Sequence, residues 1–224
     1  MSAALAPELA ALEQRFVLTA RDIAIGDRTW RLEHPRSAEE LISEVDFAVD
    51  ERLPYWADLW PSAIVLAGEV AALDGVGRRA IEFGAGLGLP ALAAAGAGFA
   101  VTATDYYADA LLFARRNAVG NLGRDLATAM IDWRSLPADL GRFDLVLAAD
   151  VLYERPYAPL VARAVVGALA PGGMALIADP GRVALTACLA ECVALGGTVR
   201  ERCAVRHEDG PAKHTITIYE VRLG

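Results

Sequence analysis

Ala80-Ile81-Glu82-Phe83-Gly84-Ala85-Gly86-Leu87-Gly88-Leu89-Pro90 reads as a buried β-strand, a glycine-rich turn and the start of a helix. Glycine lacks a Cβ, so the backbone of such a turn can approach a bound ligand closely. A helix that begins there offers unpaired N–H groups and the positive end of its dipole. Pro90 suits the first helical turn, where its missing N–H removes no hydrogen bond. The stretch therefore predicts a strand–turn–helix unit that holds a nucleotide-like cofactor.

The identity of that cofactor follows from the spacing and from two acids. A dinucleotide fingerprint needs G-x-G-x-x-G. Here the third glycine, Gly88, comes one residue early and Leu89 stands in its place. Glu82 lies two positions before the first glycine. A carboxylate there repels a pyrophosphate but suits a ligand with an ammonium group, and S-adenosyl-L-methionine has an ammonium and no phosphate. One loop, helix and strand further on, Val101-Thr102-Ala103-Thr104-Asp105 ends a second apolar strand in a carboxylate that can accept hydrogen bonds from ribose hydroxyls.

Strands and helices alternate outward from this point. Strands are predicted at Ala80–Phe83, Phe99–Thr104, Ala127–Ile131, Phe143–Ala149 and Met174–Asp179. Helices are predicted at Pro90–Gly96, Tyr107–Gly120, Pro156–Leu169 and Ala184–Leu195. Near-continuous apolar strands in a βαβα rhythm imply a parallel sheet covered on both faces. Thr198–Arg206 and His214–Arg222, joined by Glu208-Asp209-Gly210-Pro211, alternate and read as an antiparallel pair closing the sheet. Before the core, residues Phe16–Pro35 form a hairpin pattern with a turn at Gly26-Asp27, preceded by a short amphipathic helix. A further helix is expected from Ser37 to about Val49. The expected organisation is an N-terminal extension over residues 1–53 packed on one domain over 54–224, in the α/β, doubly wound class.

Composition narrows the partners. The formal net charge is -8 over 224 residues, and Arg115-Arg116, read as a solvated helix face, is the nearest approach to a basic patch. Nucleic-acid binding is therefore not expected, whereas a basic substrate such as a lysine side chain is favoured. No apolar run has the length and freedom from charge of a membrane span, and Glu8 and Glu13 argue against a secretory signal, so a cytoplasmic home is expected. The three cysteines, Cys188, Cys192 and Cys203, read as buried thiols rather than as a disulfide framework or a metal site.

Five segments, in order over Pro54 to Pro180, carry a family resemblance. They are Pro54-Tyr55-Trp56-Ala57-Asp58-Leu59-Trp60-Pro61-Ser62, the glycine turn, Thr104-Asp105, Asp132-Trp133, and Asp150-Val151-Leu152-Tyr153. On these the chain resembles class I, seven-β-strand S-adenosylmethionine-dependent methyltransferases. More narrowly it resembles the protein-lysine methyltransferase-like group, also labelled nicotinamide N-methylase-like. The wording of the first segment is similar to bacterial relatives of the electron-transfer-flavoprotein β-subunit lysine methyltransferase. The resemblance implies a seven-stranded Rossmann-like sheet with its last strand inserted antiparallel, and N-methyl transfer to lysine in a protein substrate. It also implies that Trp60 lies against the methionine end of the cofactor.

Glu82, Gly84, Asp105, Asp132 and Asp150 all fall at strand C-terminal ends or just after, where open α/β sheets bind ligands. Glu82 is expected in the network of the methionine end, with Gly84 and Gly86 giving close backbone approach. Asp105 would take the ribose. Asp132 and Trp133 would flank adenine, with Tyr106 packing beside it. Asp150 ends the apolar run Phe143–Ala149, where a charge needs a purpose or a partner: it either orients a substrate amine or caps the following turn. Tyr153 either walls the acceptor channel or packs the loop. The alternatives to lysine transfer are a small-molecule amine acceptor of nicotinamide type and a cofactor-binding protein without catalysis. Nothing in the sequence fixes an oligomeric state.

Overall fold

The computed structural model describes residues 6–38, 41, 54–209 and 212–223; the expected helix after Ser37 lies outside them. Among the described residues, seven strands make the main sheet. They are β3 (Arg79–Phe83), β4 (Ala100–Asp105), β5 (Ala127–Met130), β6 (Phe143–Ala149), β7 (Leu169–Asp179), β8 (Gly197–Asp209) and β9 (Ala212–Leu223). Their order is β5-β4-β3-β6-β7-β9-β8. The first five are parallel, and β9 runs antiparallel between β7 and β8. A two-stranded antiparallel hairpin, β1 (Leu18–Ile25) and β2 (Arg28–Pro35), stands apart from the sheet.

Side chains along the central strands explain the two-sided cover. Leu145 and Leu147 of β6 enter one apolar cluster, with Ala80 of β3 and residues of α3 (Pro61–Ala71) and α4 (Leu89–Gly96). Val146 and Ala148 enter the other, with Ile81 and Phe83 and with residues of α6 (Tyr157–Ala168) and α7 (Leu185–Ala194). Period-two alternation with both faces apolar is the signature of a strand buried twice. Cys188 and Cys192 of α7 are buried in the second cluster.

Most boundaries shift by one to three residues, and two elements differ more. The strand expected from Met174 begins at Leu169, because the register slips from Phe143↔Leu169 to Leu145↔Met174. Pro171, Gly172 and Gly173 form the irregularity, and Gly172 sits at a φ of 75°. The single N-terminal helix is instead two short ones, α1 (Pro7–Ala10) and α2 (Leu12–Arg15), broken at Ala11.

The hairpin is joined to the core by α5 (Ala108–Leu122), and here the reading of Arg115-Arg116 as a solvated face is corrected. Arg116 is 6% exposed. It donates to Glu33, to Glu13 at 2.6 Å and to the carbonyl of Leu9 at 2.9 Å, so it ties the helix to the N-terminal extension. Asn117 and Asn121 do more than end a helix. Asn117 accepts from the Glu33 N–H at 2.8 Å and donates to the Glu33 carbonyl at 3.1 Å. Asn121 does the same for Arg31, at 2.9 and 2.8 Å. Two amides one helical turn apart thus replace the missing neighbour strand on the free edge of β2.

Candidate functional site

Strand order reverses between β3 and β6, so the chain leaves their C-terminal ends in opposite directions and opens a crevice there. A cavity of about 360 Å³ fills it. Trp60, Glu82, Gly84, Gly86, Asp105, Tyr106, Asp132, Trp133, Asp150 and Tyr153 all line that cavity. The structure therefore brings together every site residue nominated from the sequence.

The glycine turn joins β3 to α4. Gly84, Gly86 and Gly88 have φ of 68°, 51° and 83°, a region that side chains with a Cβ rarely adopt. Space is also short. A Cβ on Gly84 would stand 2.8 Å from Val151, and one on Gly88 2.8 Å from Ala114 of α5. The turn is thus fixed by backbone geometry and by close packing of its own walls.

The two acids hold this turn from below. Glu82 is 1% exposed and accepts from the Ala91 N–H, in the first turn of α4, at 2.8 Å. Asp105 accepts from Gly86 N–H at 2.9 Å and from Tyr107 N–H at 3.0 Å. Burial raises both carboxyl pKa values; backbone N–H donors counter part of that rise, and in Glu82 the nearby Asp105 adds to it. Asp132 accepts from the backbone and side chain of Arg134. Arg134 is the only basic side chain that lines the cavity among the described residues.

On the far side an arc of aromatic rings closes the cavity. Ring centroids lie 6.0 Å apart for Trp60–Tyr55, 5.0 Å for Tyr55–Tyr153, 5.3 Å for Tyr153–Tyr157 and 5.7 Å for Tyr157–Trp133. Burial, followed by the proximity of Tyr157, Asp105 and Glu154, pushes the Tyr153 phenol upward. A phenol in this position can wall the cavity or donate a hydrogen bond.

Asp150 is the one non-glycine residue with positive φ among the described residues, at 57°. Its N–H donates to the Ala178 carbonyl at 3.0 Å. Ser62 Oγ donates to Oδ2 at 3.1 Å and Arg182 Nε to Oδ1 at 2.6 Å. Aspartate tolerates this left-handed geometry better than most residues, and strain of that kind clusters at functional sites. The sequence signalled Asp150 but not its two partners. Ser62 was in view beside Trp60-Pro61. Arg182 follows the end of β7 as Asp150 follows β6, a positional parallel that no local periodicity reveals. Tyr55 and Tyr157 were missed for a simpler reason: only folding brings these tyrosines beside Tyr153.

Residues 81–177 match the family model described as a methyltransferase domain. Over 132 residues the chain is 36% identical to protein N-lysine methyltransferase METTL21A of Danio rerio, covering 54% of this chain and 60% of that protein. It is 33% identical over 120 residues to protein-lysine methyltransferase METTL21E of Bos taurus, covering 46% of this chain and 40% of that protein. The chain thus spans less than two thirds of these curated relatives. Precorrin-6y C5,15-methyltransferase of Geobacter metallireducens shares the fold, with a TM-score of 0.58 at 16% identity over 72% of this chain and 86% of that one. The matched residues span β3 to β7, the strands whose ends carry the cavity. No helix among the described residues is long and apolar enough to cross a membrane.

Proposed function

We propose that this chain is an S-adenosylmethionine-dependent N-methyltransferase that modifies lysine side chains of a protein substrate in the cytoplasm. The observation that carries the reading is the convergence of Glu82, Asp105, Asp150 and the aromatic arc on one cavity. The methyltransferase domain and the lysine methyltransferases among its relatives support it. Residues 54–224 are the catalytic unit in this reading and 1–53 an extension, of which Leu9, Glu13, Arg31 and Glu33 bond to α5.

The donor set suits the cofactor. Two buried carboxylates face a cavity lined by a single arginine, which favours an ammonium and hydroxyls over a polyphosphate. Glu82 serves the methionine end, where a bound ammonium would stabilise its ionised form. Asp105 takes the ribose hydroxyls with the lone pairs left free by Gly86 and Tyr107. Asp132, Trp133 and Tyr106 border the adenine, and Trp60 lies toward the sulfur. When bound, S-adenosylmethionine supplies a methyl group whose carbon–sulfur bond breaks, its electron pair returning to sulfur, as an amine lone pair forms the new carbon–nitrogen bond. Asp150 orients that amine, and Tyr55, Tyr153 and Tyr157 keep water from its approach. Holding the reacting atoms in line is the main service such a site can give.

The test is transfer of radiolabelled methyl from S-adenosylmethionine into a methylation-deficient lysate. The wild-type protein should label a discrete protein band on lysine. Asp150→Ala should leave cofactor affinity, measured by calorimetry, within about threefold and reduce labelling at least about hundredfold, because the lost group acts in transfer alone. Label confined to small molecules would replace the lysine acceptor by a small amine, and full labelling by the variant would remove Asp150 from the reaction.

A further inference from the structure

The Asp150 carboxylate presents a chemical difficulty. An acceptor lysine arrives as an ammonium, with an ordinary pKa near about 10.4, and must lose its proton to solvent before its lone pair can attack. A lone buried carboxylate beside it would raise that pKa and hold the wrong form. The Asp150 side chain is 3% exposed, and the Arg182 guanidinium is already bound to it at 2.6 Å. We propose that Arg182 is a positioning residue whose charge on Asp150 makes the site receive the acceptor as a neutral amine. This inference rests on the placement of Asp150 at the acceptor end.

Several features hold Arg182 to this task. Asp179 Oδ1 accepts from the N–H of Gly181 at 2.7 Å and of Arg182 at 2.6 Å, which fixes the loop after β7 and aims the side chain back at β6. The second Asp179 oxygen is buried without a hydrogen-bond partner; the carboxylate is committed to that loop. The guanidinium also lies 5.3 Å from the centre of the Trp60 ring, a cation–π contact at an aromatic that lines the main cavity. Trp60 and Asp150 line a second cavity as well, of about 250 Å³, which Arg182 and His214 of β9 also line. Arg182 therefore stands behind the carboxylate, with the acceptor's approach on the other side. A guanidinium stays charged at every assay pH, so the opposition of charges is permanent.

Other ionisable groups face the same space. Glu82 and Asp105, from β3 and β4, act on the cofactor half. Asp58 and Glu154 line the main cavity too, and Asp132 and Arg134 pair with each other. All of them, and His214, are unchanged in an Arg182 variant, so a difference between pH profiles reports Arg182 alone. Arg182 and an acceptor ammonium carry like charge, and such a pair a few ångströms apart near a protein surface shifts a pKa by about one unit after screening.

The experiment uses the substrate protein purified from the lysate band that the wild-type chain labels, held at saturation so that the initial rate follows kcat and its pH profile reports groups in the bound complex, between pH 7 and pH 10. Arg182→Gln should move the acidic limb upward by about one pH unit, a tenfold loss at pH 7.5 that closes toward pH 10. Arg182→Lys, which keeps the charge, should restore the wild-type limb. Ser62→Ala, which removes a neutral donor from the same carboxylate, should lower the rate without moving the limb. Calorimetric cofactor affinity and melting temperature verify each fold. If Arg182→Gln melts too low, Arg182→Met keeps the stem over Trp60 and replaces it. An equal loss at every pH, or the same shift in Ser62→Ala, would overturn the proposal and leave Arg182 a purely structural contact. Absence of any labelled band with the wild-type chain would overturn the lysine reading itself, and this inference with it.

Discussion

Glu82 and Glu220 are equally hidden, each 1% exposed, yet the protein treats them in opposite ways. Glu220, on β9, is met by Arg200 at 2.8 Å, Arg202 at 3.0 Å and Arg222 at 2.5 Å. Burial alone would raise its carboxyl, but these three hydrogen-bonded arginines outweigh it and bring it down to about 2. Glu82 receives a single N–H, from Ala91, among the hydrogen bonds described for it, and burial with the neighbouring Asp105 drives it the other way. The difference separates a carboxylate the fold has already neutralised from one left in deficit at the cavity's edge. Perturbed groups in clefts mark function for this reason.

The strongest way to break the comparison is Asp105→Ala. If the acids at this edge are reserved for a ligand, calorimetry should show S-adenosylmethionine affinity falling at least about hundredfold, roughly 2.7 kcal/mol. Unchanged affinity would reduce Asp105 to a brace for Gly86 and Tyr107.

The opposite pole is tested by Glu220→Gln, which strands three cations. Losing one side of a buried pair costs about 3–5 kcal/mol. Arg200 and Arg222 are 66% and 45% exposed, so solvent repays part of this and about 2 kcal/mol of urea stability should go, with cofactor affinity unchanged. The pH dependence has a definite sign. The Glu220 carboxyl lies lower when folded, so its contribution is whole above the unfolded value of about 4.3 and fades as pH falls toward about 2.

Glu82→Gln gives the smallest effect and the reverse sign. A carboxyl raised on folding leaves stability intact below its unfolded pKa and costs stability as pH climbs through the folded one. Removing the charge should therefore raise the melting temperature of the ligand-free protein at pH 7 by about 2–4 °C, the yield of about 1 kcal/mol in a chain of this size. Wild type and variant should melt together at pH 4, and S-adenosylmethionine should bind the variant more weakly. A variant less stable at pH 7 would erase the contrast between the two glutamates.

The same contrast explains what was legible in the sequence. Glu82, Asp105 and Asp150 stood out because each interrupts an apolar run, and a charge at the end of a buried strand is a local anomaly. β3, β4 and β6 were legible for the same reason, as runs bounded by glycine turns and acids. Arg182, Ser62 and Arg116 were not, since their partners lie 32, 88 and 83 residues away and nothing nearby marks them. Asn117 and Asn121 were hidden too, because sequence shows side-chain type but not the strand edge beside them. The β7 irregularity hid behind Pro171-Gly172-Gly173, which reads as a loop until β6 supplies the pairing.

The insertion of β9 between β7 and β8 has a consequence for biogenesis. On a ribosome, β7 is complete at Asp179, but the strand that covers its outer edge arrives only with Ala212–Leu223, about forty residues later. At about 5–20 residues per second the nascent sheet waits roughly two to nine seconds with an open apolar margin. In that interval β8 has been made and has no neighbour to join. The glutamate on β9 that gathers three arginines then sets the final strand in register, so completing the sheet and neutralising its charges happen in one event.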